Sequence, residues 1–113
     1  MSVNTNQYII LGVKIPYLKD EGKGSLYDKV SEYDDNGYKP VHRKDGLTAI
    51  LDGMNGNYIF IGKVIVRSDV NESIDGPIEL SYNQEIADLL SQLIKEKFGI
   101  KEEVKLWFVT HYH

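Results

Sequence analysis

The feature that most constrains the fold is a phrase that occurs twice, Tyr8-Ile9-Ile10-Leu11-Gly12 and Tyr58-Ile59-Phe60-Ile61-Gly62, each followed by more aliphatic residues. Branched and aromatic side chains pack well on a pleated surface, so runs this rich in Ile, Val and Tyr, bounded by Gly and Asn, read as two central β-strands. The first is expected over Tyr8 to Ile15 and stops at Pro16, which has no N–H to give to a ladder. Alternation sets Ile9, Leu11, Val13 and Ile15 on a core face and Tyr8, Ile10, Gly12 and Lys14 on a mixed one.

Leu47 to Leu51 runs into Asp52-Gly53-Met54-Asn55-Gly56, which holds two turn dipeptides in five residues. This predicts a hairpin with the strand Tyr58 to Val66. Within that strand Tyr58, Phe60, Gly62, Val64 and Val66 share an apolar face. Lys63 and Arg67 interrupt the other, where their charged ends need water or a carboxylate. Ile78 to Leu80 is expected to form a brief further strand.

Helices are signalled twice. Ser25 with Asp28 three residues on caps a short helix near residues 25–35, with Leu26, Val30 and Tyr33 at helical spacing. Ser81-Tyr82-Asn83-Gln84 has the form of a capping box; Ile86, Leu89, Leu90, Leu93, Ile94 and Phe98 then mark an apolar stripe, and Gly99 supplies a left-handed stop. Val104, Leu106 and Phe108 alternate along a final strand whose other face carries Lys105, Trp107, Val109, His111 and His113.

These elements predict an α+β fold: a mainly antiparallel sheet of 4–5 strands with the long helix of the C-terminal half packed on one face. A chain of 113 residues, 42% hydrophobic, suits one core and one domain over 1–113. The formal charge of -4 gives a field that repels polyanions, so neither nucleic acid nor an anionic membrane is expected as a partner. With no cysteine, disulfides, thiolate metal sites and thiol nucleophiles are excluded together. Residues 1–7 lack the basic start of a targeting segment, and charge or glycine interrupts every apolar run. A cytoplasmic setting is expected.

Chemistry is sparsely encoded. His111 and His113, two apart on a strand, would face the same way, as a metal site in a small-ligand or metal-dependent enzyme requires; Asp45, Asp52, Asp69 or His42 would have to complete it. The plainer reading makes both histidines exposed residues at a strand end, and it is preferred, with no cofactor. The glycines of Asp52 to Asn57 fit a hairpin turn better than a phosphate cradle, since no strand-to-helix context surrounds them. Asp34-Asp35 and Asp20-Glu21 read as solvated carboxylates, and no nucleophile elbow is present.

Aromatic residues are the remaining signal. Eight tyrosines and one tryptophan supply large contact area with a polar tip, as recognition surfaces do. The expected function is therefore a non-enzymatic protein-interaction module, a small inhibitor or adaptor of cellular or viral origin. It would bind a protein partner through Tyr27, Tyr33, Tyr38, Trp107 and Val109, and pair with a second copy as a homodimer.

Overall fold

The computed structural model describes residues 3–35 and 45–113. It contains β1 (Thr5–Ile15), α1 (Leu26–Ser31), β2 (Thr48–Leu51), β3 (Ile59–Arg67), α2 (Gln84–Phe98) and β4 (Lys105–Tyr112). The strands form one antiparallel sheet in the order β2-β3-β1-β4, with α2 as the main helix, an α+β arrangement as expected. The two strands carrying the repeated phrase are the central pair.

Their antiparallel register brings the two phrases together at their last residues, Gly12 opposite Gly62. A Cβ built on Gly12 would overlap the Ile61 carbonyl oxygen and lie 2.8 Å from Gly62 Cα; one on Gly62 would overlap the Leu11 carbonyl oxygen. The strands approach closely here because neither residue has a side chain. Trp107 reaches toward this point and donates from Nε1 to the Gly12 carbonyl at 3.1 Å, with Phe60 set edge-on to its ring.

Both faces of the sheet carry apolar clusters. On the helix face Leu11, Val13, Ile15, Ala49, Leu51, Ile59 and Ile61 pack with Ala87, Leu90, Ile94 and Phe98 of α2 and Val30 of α1. On the other face, expected to be mixed, Tyr8, Ile10, Ile50, Phe60 and Val109 form a second cluster edged by Tyr58, Val64 and Trp107. Truncating Leu90 to Ala should lower stability by about 2–3 kcal/mol, since a buried leucine loses both its transfer energy and its neighbours' contacts. An unchanged urea midpoint would show that α2 does not seal this core.

Several expectations are corrected. Ile78 to Leu80 forms no strand. The long helix is capped not by Ser81 but by Asn83, whose side chain accepts from the amides of Glu85 and Ile86, so α2 begins at Gln84. Gly99 ends it in the left-handed conformation as predicted, at φ 71°. Ala87, Leu90, Ile94 and Phe98 follow the buried row, whereas Ile86 and Leu89 lie on the neighbouring flank and are exposed. Phe108, expected in the core, is 60% exposed.

One irregularity redirects β3. Ile9 pairs with Val66 and Ile10 with Val64, leaving Ile65 as an extra residue. Beyond it the alternation is inverted, so Val66 does not share the face of Phe60 and Val64 as read from the sequence, and Arg67 crosses to the Tyr8 side. The short helix agrees with expectation: Ser25 accepts from the Asp28 amide at 3.1 Å, and Leu26 and Tyr33 pack on the core.

Candidate functional site

Two regions stand out, one polar and buried, the other apolar and exposed. The polar one lies at the end of the second sheet face where β1, β3 and β4 meet. Arg67 Nη2 donates to Asp35 Oδ1 at 3.4 Å, and Nε sits 2.9 Å from Oδ2, an ion-pair contact in which the N–H is poorly aligned for a hydrogen bond. Asp35 is buried and Arg67 nearly so. Burial and the Asp35 charge raise the Tyr8 hydroxyl well above its ordinary value, and that buried oxygen makes no well-formed hydrogen bond among the described residues.

Beside this pair lie the two histidines. His111 and His113 do face the same way, and their rings stack at 5.5 Å. His111 is only 3% exposed, which corrects the expectation of an exposed strand end. Its Nδ1 shares a 3.1 Å hydrogen bond with the Tyr58 hydroxyl, and His113 Nε2 bonds to Asn6 Oδ1 at 2.6 Å. Asn6 donates in turn to the Ser68 carbonyl at 2.9 Å. Backbone pairing of Asn4 with His113 fixes the strand through to its last residue.

The expected third ligands do not converge. Asp52 accepts from the amides of Asn55 and Asn57 and braces the hairpin turn, as the turn reading of this loop anticipates. Asp45 pairs with Lys97 at 2.9 Å and accepts from the Tyr33 hydroxyl. Asp69 is exposed, and His42 lies outside the described residues. Among the described residues no group of three or more His, Asp or Glu side chains gathers as metal ligands.

Burial chiefly, and the neighbouring His113, pull the His111 imidazole down from 6.5 to about 4. Above about pH 6.5 it is neutral whether folded or unfolded. Below that, the unfolded chain takes up the proton first, so stability falls as pH drops toward 4 and levels off once the folded form also protonates. The loss should reach on the order of 3 kcal/mol, at about 1.4 kcal/mol per unit. Urea midpoints at about pH 7 and about pH 5 should therefore differ more for the wild type than for His111→Gln. Equal differences would remove His111 as the cause.

The expected partner-binding aromatics are mostly drawn inward. Tyr27 is half-buried against Tyr17, and Tyr33 packs edge-on against Phe98. Trp107 is half-buried under Lys14, Val109 is covered within the chain, and Tyr38 lies outside the described residues. The exposed apolar area is elsewhere. Ile65, Leu80 and Ile86 line a groove of about 370 Å³ with Leu11, Val64 and the polar Lys63, Glu79, Ser81 and Asn83. Leu89 follows Ile86 by three residues on the same flank of α2 and is 68% exposed. Sequence reading missed this area because a helical stripe shows which residues are apolar, not how wide a strip the sheet will cover.

Among the described residues no helix is long and apolar enough to cross a membrane. Comparison with protein-family models, curated proteins and solved structures finds no match to this chain.

Proposed function

We propose that the protein is a non-enzymatic interaction module of the cytoplasm that binds a protein partner and associates with itself. The observation that carries this reading is the flank of α2. Ile86 and Leu89, together with Ile65 and Leu80 across the groove, leave large aliphatic side chains between 39% and 68% exposed in one neighbourhood. Scattered surface leucines need no explanation, but a contiguous apolar strip rimmed by Lys63, Glu79 and Asn83 has the make-up of a docking surface. In the buried polar cluster, by contrast, the histidines, Asn6 and Tyr58 are bonded to one another and to backbone. Absence of cysteine fits a reducing compartment.

The test is a tagged full-length chain and its Leu89→Asp variant, each used to capture protein from the native source. A retained protein that also binds the purified wild type, and is lost with Leu89→Asp while the helix content is kept, supports the reading. Equal retention by both chains would move the docking surface off α2.

A further inference from the structure

The outer edge of β4 is the one long ladder edge that the described residues leave unpaired. Asn4 and His113 exchange both backbone hydrogen bonds at 2.8 Å, which fixes the alternation along the β1–β4 pair. Asn6, Tyr8, Ile10 and Gly12 therefore face their partners His111, Val109, Trp107 and Lys105 through hydrogen bonds. The N–H and C=O groups of Leu106, Phe108, Thr110 and Tyr112 point away from β1. Among the described residues nothing pairs with them.

Of the remaining edges, β3 beyond Gly62, where β2 has ended, lacks a partner strand among the described residues, but it is short and interrupted by the bulge at Ile65. The outer edge of β2 is bonded by Tyr33 and Asp35, through Ala49 N–H to the Tyr33 carbonyl and Asp35 N–H to the Ala49 carbonyl, each at 2.9 Å. Where β3 leaves β1, Ser68 and Asn71 take over the bonds of Gln7 and Thr5. Edge strands in monomers are ordinarily blunted by proline, bulges or several charges. In β4, Lys-Leu-Trp-Phe-Val-Thr-His-Tyr, the only charged group of that kind is Lys105 at its first position.

We propose that β4 pairs antiparallel with β4 of a second copy across a twofold axis at Phe108, joining two sheets into one of eight strands. The strand is complementary to itself in this register. Phe108 meets Phe108 of the copy, Leu106 meets Thr110 and Trp107 meets Val109, so the most exposed aromatic of the strand is covered by its own image. Lys105 falls opposite His111, not opposite another lysine, and His111 is buried and held neutral at pH 7. Both α2 helices lie on the same side of the joined sheet, with the groove beside Ile86 and Leu89 left open. The inference rests on the self-association in the proposed function and not on its protein partner.

Sedimentation of the full chain over a dilution series should give twice the mass of one chain, falling to one chain for Phe108→Lys and for Thr110→Pro. Both sites tolerate the change in the monomer: Phe108 is exposed, and the Thr110 N–H makes no bond to β1. Circular dichroism should be unaltered. Because the chain lacks cysteine, Phe108→Cys should oxidise to a single covalent dimer, since hydrogen-bonded partners lie about 5.5 Å apart at Cα. A monomeric wild type overturns the inference, as does a dimer that survives both edge substitutions or a Phe108→Cys chain that does not cross-link. Leu89→Asp should leave the dimer intact, which separates this result from loss of the protein partner.

Discussion

Gly12→Val is expected to destabilise the fold by about 3 kcal/mol or more, at the upper end of what overpacking costs. A new side chain in a core ordinarily displaces other side chains, which can turn to new rotamers. Here it meets backbone, the Ile61 carbonyl and Gly62 Cα, both held by the central ladder. The strands must part, and with them the seat of Trp107 on the Gly12 carbonyl. Gly62→Val should act similarly, and the double variant should lose less than the sum, because one separation serves both. Gly53→Ala is the control, since its added Cβ meets nothing within 4 Å. A Gly12→Val chain with the wild-type urea midpoint would show that the central strands do not approach as described.

Asp35→Ala should cost about 3 kcal/mol, because it leaves the Arg67 guanidinium without its countercharge where little water reaches it. Replacing both members, Asp35→Leu with Arg67→Met, should recover much of that loss, as apolar groups of similar volume remove the desolvation penalty altogether. Lys97→Ala should change stability far less than Asp35→Ala, since its ion pair with Asp45 is partly in water. Tyr8→Phe should be near neutral, because the hydroxyl it removes makes no well-formed bond. Denaturation midpoints of these four chains decide the matter; an Asp35→Ala loss no greater than that of Lys97→Ala would mean Arg67 finds water.

The central strands, the hairpin and the long helix were legible in the sequence because each has a local cause. The repeated phrase suits a pleat, Asp-Gly and Asn-Gly suit a turn, and Gly99 suits a left-handed stop. What was not legible depends on pairing between distant segments. Asn6 and Gln7 look like a polar leader before β1, yet they are strand residues because β4 extends far enough to pair with them. His111 looks like a strand end in water, but Tyr58, Tyr8 and His113 pack around it. Phe108 has the alternation of a core residue, and is exposed because α2 lies over β1 and β3 and leaves that part of β4 open. The ion pair was half foreseen: Arg67 needed a carboxylate, but the sequence placed it on the wrong face.

That misplacement traces to Ile65, and it bears on how this chain tolerates change. Substitutions along the end of β3 alter one side chain at a time, and positions such as the half-exposed Ile65 should accept many of them. Deleting Ile65 is a gentler event than its place inside a strand suggests. It removes the extra residue alone, leaving Val64 opposite Ile10, Val66 opposite Ile9 and Arg67 opposite Tyr8, so the charge stays beside Asp35. A library that permits single-residue deletions should therefore retain members shortened at the bulge and lose those shortened within the regular pairing of Ile59 to Gly62, where a slip turns side chains to the other face.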